Sequence, residues 1–568
     1  MDGAPQKSGK DANGPGSRRG SIARLAADAV AGLMMQVVAR VRPNLAEFLA
    51  ERQLLIWGLA VVIGTAVAYV AIGFRLAIGI VQLPWLGTTS ERVASAAAEL
   101  DWYVVILAPA IGGLIVGLVL ARMVPGHRAH GVADVIEARA LHNSRIDPRT
   151  GFVSAVLSIL SIGSGASVGR EGPVVHLGAT IAAVVEDRFA LSPGARRTLL
   201  ACGVASAISA SFNAPIAGVL FAHEVILAHY AFRALVPIVI ASVLGGVITR
   251  YHFDDAPAFH IPDYQISSAW EFPAFALLGL TCAAVSIAFQ LALMGTERVA
   301  WKVPLPLWLR PCVGGLLIGA IAVFYPQVLG VGYETTDDAL QRELPLVLAL
   351  SLIVAKTAAT AIALASRFAG GIFSPTLYLG AMTGSAFGLM AASTFPELGS
   401  SQGLYAILGM GAVAAAVLGA PLSTTLIVFE LTGGYQMTIA LLLTVSIAVG
   451  VSQAFLGHSL FYWQLGRRGL FLQDGPHKAI LRRIKVADVM EPVGADPGGD
   501  YSAGPPKVWL LPSDTLEQAL RAFDRSGQTR IVVVAEAGAN EVVGHAERLA
   551  ALDAYNKALI EAAEEEHK

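Results

Sequence analysis

The run Gly163-Ser-Gly-Ala-Ser-Val-Gly-Arg-Glu-Gly-Pro-Val-Val-His-Leu-Gly-Ala179 limits what this chain can become more than any other stretch. It sets Arg170 and Glu171 among glycines and a proline, inside sequence apolar enough to lie within a membrane. An ionisable side chain at membrane depth costs about 2.5–3.5 kcal/mol on insertion scales, so such groups face a protein interior or an aqueous path. Glycines just ahead of a helix let the backbone turn and leave its first amides unsatisfied. Pro173 suits a first helical turn, where its missing amide would go unused. Free amides and the positive end of the helix dipole together attract an anion without needing a full cation. The plainer alternative is a re-entrant turn in which Arg170 and Glu171 pair for structure only.

A second copy of the pattern favours the anion site. Gly371-Ile-Phe-Ser-Pro-Thr-Leu-Tyr-Leu-Gly-Ala381 repeats Gly169-Arg-Glu-Gly-Pro-Val-Val-His-Leu-Gly-Ala179, with Gly, Pro, Leu, Gly and Ala in register. Downstream, Phe212-Asn-Ala-Pro and Leu418-Gly-Ala-Pro each lead to a glutamate nine residues after the proline, Glu224 and Glu430. Two halves with interrupted helix starts can point both N-termini at one site near the bilayer midplane. Gly169, Arg170, Glu171 and Gly172 from one half, and Gly371, Ile372 and Phe373 from the other, are the candidate anion-binding residues. Glu171 is the candidate gate, because a tethered carboxylate competes with an anion for the same amides.

The rest of the chain supports a membrane setting. It has 568 residues, of which 55% are hydrophobic and 14% charged, with a mean hydropathy of +0.61. That composition belongs to a polytopic membrane protein. The net charge of -2 gives no case for nucleic acid. Cys202, Cys282 and Cys312 sit in apolar segments without disulfide or metal spacing.

Residues 1–20 carry no apolar run and read as a disordered tail, neither signal peptide nor first span. Ser21 to Arg42 places Ile22, Leu25, Leu33, Met34, Val37, Val38 and Val41 at helical spacing, which suits a helix lying on the membrane surface or a packed soluble one. From Leu54, apolar blocks follow closely: Leu54–Leu83, Trp102–Val124, Phe152–Ser167, Arg197–Tyr230, Ala234–Thr249, Phe272–Met294, Leu307–Tyr325, Pro345–Ala365, Leu377–Phe395 and Leu404–Phe461. Several are broken by Gly or Pro, and broken helices at membrane depth point to a solute pathway. Basic residues before the first span and after the last, Arg467, Arg468, Arg482, Arg483 and Lys485 among them, predict that both termini are cytoplasmic.

These motifs resemble the CLC chloride channel and transporter family. The family's Gly-Lys/Arg-Glu-Gly-Pro motif is matched by Gly169 to Pro173, its Gly-x-Phe-x-Pro motif by Gly371 to Pro375, and its Asn-Ala-Pro segment before a helix glutamate by Asn213 to Glu224. The match runs from about Glu51 to Gly466. It implies an all-α polytopic fold built as an inverted repeat of short and broken helices, and a cell-membrane homodimer with one path for small anions per subunit. Chloride is then a substrate, and no organic cofactor or metal is implied.

Three departures bear on mechanism. The family's first chloride motif falls on Ala129 to Ala133, so His130 beside Gly131 replaces a serine. His130 can donate a hydrogen bond and charge near neutral pH, or simply cap the following helix through Asp134. The family's pore tyrosine falls on Phe461, with Tyr462 next. The exchangers' inner proton relay falls on Val225, beside Glu224, and valine carries no proton.

Residues 467–568 resemble a single cystathionine-β-synthase-type (CBS) module, a small α/β segment read as strands over 484–490, 530–534 and 542–544 with a helix over 514–520. Such modules pair, and His545 to Ala550 lacks the family's nucleotide-contacting groups, so a dimer-supporting role is expected in preference to nucleotide sensing. The expected organisation is thus a tail and amphipathic helix over 1–48, a transmembrane domain over 49–466, and a cytoplasmic segment over 467–568. The expected activity is passive anion conduction gated by Glu171, with chloride/proton antiport as the alternative. A membrane enzyme is a remote rival. His223 and Glu224 with His229 suggest a zinc motif, but residues six apart lie about 120° apart around a helix.

Overall fold

The computed structural model describes residues 32, 34–42, 45–46, 48–50, 52–253, 259, 266, 269–341, 344–394, 402–432, 435–472, 481, 484–492, 508–536 and 542–567. The chain to Gly58 and the chain from Leu59 are two units. In the first, residues 34–42 of the expected surface helix are helical and exposed, Met34, Met35 and Val38 included. Residues 21–31 and 33 lie outside the described residues.

Helices follow in the order α1 (Gln53–Leu86), α2 (Val93–Ala98), α3 (Trp102–Met123), α4 (Val132–Leu141), α5 (Pro148–Gly163), α6 (Glu171–Glu186), α7 (Pro193–Phe212), α8 (Pro215–Phe221) and α9 (Phe232–Phe253). The second half continues with α10 (Phe272–Lys302), α11 (Arg310–Phe324), α12 (Tyr333–Leu340), α13 (Leu346–Ala365), α14 (Phe373–Thr394), α15 (Gln402–Leu418), α16 (Pro421–Thr432), α17 (Tyr435–Leu456) and α18 (Leu460–Gly466). Among the described residues, six segments are long and apolar enough to cross a membrane, while α5, α11, α15 and α16 are apolar but shorter. The long apolar blocks of the sequence break where the backbone turns left-handed. Arg197–Tyr230 divides at Asn213 (φ 57°) and Leu404–Phe461 first divides at Gly419 (φ 70°). Pro215 and Pro421 then open the next helix at a position that needs no amide.

The repeat reaches further than the motifs that revealed it. Pro109-Ala-Ile-Gly-Gly-Leu-Ile-Val-Gly117 in α3 is echoed by Pro311-Cys-Val-Gly-Gly-Leu-Leu-Ile-Gly319 in α11. The two segments pack on each other reciprocally. A Cβ on Gly113 would meet the Pro311 carbonyl oxygen at 2.2 Å, and one on Gly315 would meet that of Pro109 at 2.2 Å. Glycine lets helices approach this closely where apolar surroundings give no drive to associate. The same device holds α6 on α7 and α14 on α15. A Cβ on Gly178 would lie 2.6 Å from the Gly203 oxygen, and one on Gly380 2.3 Å from the Gly409 oxygen. Gly178 and Gly380 are the matched glycines of the two Leu-Gly-Ala motifs.

α14 and α15 form the interior, with Tyr378 and Tyr405 fully buried. The outer helices turn apolar stripes outward, such as Leu107, Ile111 and Ile115 on α3. Such a surface suits lipid and not water.

Beyond α18 lies a four-stranded sheet in the order β1-β4-β3-β2: β1 (Met490–Pro492), β2 (Trp509–Leu510), β3 (Arg530–Val534) and β4 (Val542–Glu547). The strand expected over 484–490 begins only at Met490. The Asp488 carboxylate accepts the Lys485 amide at 2.9 Å and winds Val486–Asp488 into a 3-10 turn. The expected helix starts later and runs longer, as α19 (Leu516–Ser526). Thr515 and Gln518 form a capping box at its start, and Gly527 (φ 67°) ends it. Phe523, Leu516, Ile531 and Val533 pack the core, and α20 (Arg548–His567) follows β4.

Candidate anion pathway

Two glycines bring the helix starts of the halves together. The Gly169 amide donates to the Gly371 carbonyl and the Gly371 amide to the Gly169 carbonyl, each at 2.7 Å. A Cβ on Gly371 would stand 3.0 Å from the Gly172 nitrogen, so any side chain there would push α6 and α14 apart. The first-turn amides of both helices have no intrahelical partner and converge on one spot.

Glu171 opens α6 and is fully buried. Its Oε1 accepts from the Tyr333 hydroxyl at 2.6 Å, and its Oε2 from the Ser374 hydroxyl at 2.5 Å. Tyr333 begins α12 and Ser374 lies in the first turn of α14, so three helix starts meet at this carboxylate. Arg170 does not pair closely with it. Its Nε stands 3.9 Å from Oε1, while its Nη1 binds Glu91 at 2.5 Å and its guanidinium lies 4.7 Å from the Tyr333 ring centre. Glu91 also takes Arg75 at 2.7 Å. Burial opposes ionisation of Glu91, but Arg170 and Arg75 more than offset it and hold the carboxyl below its usual range.

Lys356, fully buried on α13, fixes the approach to Tyr333. Its ammonium donates to the Val328 and Gly330 carbonyls at 3.0 Å each, pinning the turn that leads into α12.

Below the carboxylate is a chamber of about 60 Å³. Glu171, Gly172, Gly371, Ile372, Phe373, Gly131 and Phe461 contribute to its wall, with Gln464, Phe221, Val132, Val175 and Ile208. At roughly 10–15 Å³ per water on this measure, it has room for one small ion and a little water. The Phe373 ring is braced by Phe212 at 5.0 Å and Phe221 at 6.1 Å between centroids. Gly131, Leu364, Gly370 and Gln464 also line a wider cavity of about 300 Å³, which continues past His130, Arg128, Arg367, Arg467 and Arg468.

The sequence candidates therefore divide. His130 lines the wide cavity and not the chamber. Its Nδ1 is 3.6 Å from Asp134, and its ring centre is 5.5 Å from that of His176. The helix after it is capped by Gly131, whose amide donates to Asp134 at 2.8 Å. Phe461 faces the chamber, whereas Tyr462 lines neither cavity. Gly169 and Arg170 stand behind the site, joined to Gly371 and Glu91.

Glu224 and Val225 fall in a π turn, Ala222–Leu227, and not in the regular helix assumed from the sequence. Val225 is buried and lines neither cavity. Glu224 crosses to the other half, where its carboxylate accepts the Leu422 and Ser423 amides of α16 at 3.0 and 2.8 Å. Glu430 does the same for the Ile216 and Ala217 amides of α8, at 2.9 and 2.7 Å. Each half thus caps a helix of the other, which is why the glutamate recurs nine residues after each proline. His223 Nδ1 lies 3.0 Å from the His229 carbonyl oxygen.

Sequence reasoning missed Tyr333, Ser374 and Gln464. Ser374 carried a signal, being a hydroxyl inside the repeated motif in register with Gly172. Gln464 could have been found as the residue one helical turn after Phe461, on the same face. Tyr333 carried none, because only the fold brings α12 to α6.

A helical membrane protein whose two half-repeats aim helix N-termini at one buried chamber, with an ionisable side chain in the wall, belongs to the class of ion channels and transporters. The family model described as voltage gated chloride channel matches residues 112–453. A putative chloride channel protein ClcB-like of Ralstonia nicotianae is 33% identical over 390 residues, covering 68% of this chain and 90% of that protein. The voltage-gated ClC-type chloride channel ClcB of Escherichia coli is 30% identical, covering 72% and 98%. The chloride channel protein CLC-f of Arabidopsis thaliana is 30% identical, and the chain spans only 54% of its length. Among solved structures, a slow cyanobacterial Cl-/H+ antiporter shares the fold with a TM-score of 0.65 at 22% identity, covering 73% of this chain and 97% of that one. A CLC-type fluoride/proton antiporter does so with a TM-score of 0.58 at 22% identity, covering 70% and 95%. The chain belongs to the voltage-gated chloride channel family, the CLC channels and transporters.

Proposed function

We propose that the protein moves chloride through the chamber under Glu171, which acts as the gate. The observation that carries this is the placement of a fully buried carboxylate in the chamber wall, where it competes with an anion for the same helix starts. Tyr333 and Ser374 hold it when charged, and protonation or an arriving anion releases it. Gly131, Gly172, Gly371, Ile372, Phe373 and Phe461 line the ion's place, and His130 stands at the approach. The active form is a homodimer in the cell membrane with both termini cytoplasmic, and residues 467–568 support the dimer.

Chloride/proton exchange is the first reading of the mode, supported by solved structures of this fold that are described as antiporters. Passive conduction is the second reading. It rests on Val225 at the relay position and on Glu224, whose carboxylate is occupied by the α16 amides. Reconstituted vesicles under a chloride gradient, with pH recorded and no proton ionophore, separate the two. Uphill proton movement at fixed stoichiometry means exchange. Chloride efflux that needs only a potassium shunt means passive conduction, and no chloride movement under either condition overturns the proposal.

A further inference from the structure

The wide cavity next to the chamber holds four arginines, and three of them are neutralised. Arg128 binds Asp134 at 2.5 Å, Arg468 binds Asp134 and Glu137 at 2.9 Å each, and Arg467 binds Glu297 at 3.0 Å. Arg367 makes no ion pair among the described residues. Glu297, the carboxylate that faces it, is taken by Arg467. The Arg367 guanidinium lies 5.5 Å from the Trp301 ring centre, which steadies the group while leaving its edge N–H donors available.

Its backbone points the same way. Arg367 follows the end of α13 in a left-handed conformation, φ 74°. That is a strained place for a long side chain and the ordinary place for glycine. The first half of the molecule uses glycine there. Gly165 (φ 99°) stands 4 residues before Gly169 as Arg367 stands 4 before Gly371. One half therefore keeps the unstrained residue, and the other accepts strain to place a guanidinium in the cavity four residues from the chamber's Gly371. Between the two spaces stands Gln464, whose amide has no hydrogen-bond partner among the described residues.

We propose that Arg367 and the rim of this cavity form a loading site for a small monovalent anion, held outside the chamber and passed to it beside Gln464. The inference rests on the transport reading above for its purpose but not for its test. A full cation in a partly enclosed space concentrates anions and raises their rate of arrival, an effect that salt screens.

The test uses the full-length protein. In planar bilayers, with chloride varied on one side at a time, Arg367→Gln should raise the half-saturating chloride concentration about threefold or more from one side only. Arg367→Lys should restore most of the affinity, and high ionic strength from an impermeant salt should shrink the difference. Calorimetric titration of the purified protein with chloride should show weaker binding in Arg367→Gln. Unchanged half-saturation from both sides, or an equal shift from both, overturns the loading site. If the wild type carries no current, the transport reading fails, and the titration alone decides Arg367: chloride binding unaltered in Arg367→Gln overturns it.

Discussion

At the scale of single residues, the proposed gate, Glu171, is a carboxylate held by two hydroxyls. Tyr333→Phe removes one of the two side-chain hydrogen bonds that Glu171 accepts, leaving that from Ser374, while keeping the ring between Arg170 and Phe259. A hydrogen bond to a charged group contributes about 1.5–3 kcal/mol, and 1.4 kcal/mol is a factor of about ten. Chloride flux at neutral pH should therefore rise by about tenfold or more in Tyr333→Phe, measured in vesicles. Glu171→Gln should flatten the pH dependence of flux, and Tyr333→Phe should add nothing to that variant, since a neutral gate has no carboxylate left to restrain. An additive effect of the two substitutions would remove Tyr333 from the gate. Glu171, His130 and Phe461 were legible as single residues because each sits inside a motif. Tyr333 was not, because a tyrosine after a glycine-rich turn has no pattern until its partner, 162 residues away, is known.

At the scale of elements, helix ends carry the argument. Glu224 and Glu430 are adjacent to or aligned with functional positions in the chain, yet both serve as caps for a helix of the opposite half. Glu224→Gln and Glu430→Gln each keep one acceptor oxygen, weakened by the loss of charge, and set an NH2 donor against the second helix amide, so each should lower the thermal unfolding temperature by a similar amount. Neither should change the ratio of protons to chloride moved. A loss of coupling in Glu224→Gln with unchanged stability would instead make it a proton relay. The recurrence of a glutamate nine residues after each Ala-Pro was visible in the sequence. Its meaning was not, because a cap shared between halves requires knowing that α8 and α16 end against each other.

At the scale of the whole molecule, the repeat is held by glycines that stand at equivalent places. Gly178→Val and Gly380→Val should both abolish a monodisperse folded protein, as their Cβ atoms would meet carbonyl oxygens at 2.6 and 2.3 Å. Gly295→Val, with nothing within 4 Å of its Cβ, should be tolerated, and size-exclusion chromatography after extraction distinguishes these outcomes. The sequence by itself determined that the chain is a membrane protein built twice over, that two helix starts meet, and that Glu171 lies at the meeting point. Those properties follow from composition, duplication and local backbone chemistry, which act over a few residues and leave their mark in the order of amino acids. Only the tertiary structure decided which groups hold Glu171, which arginines of the wide cavity are neutralised and which is not, and which amides Glu224 accepts. These pairings bring residues 162, 198, 203 or 331 positions apart within hydrogen-bond reach, and side-chain pairing across such separations is chosen by packing and not by sequence neighbours.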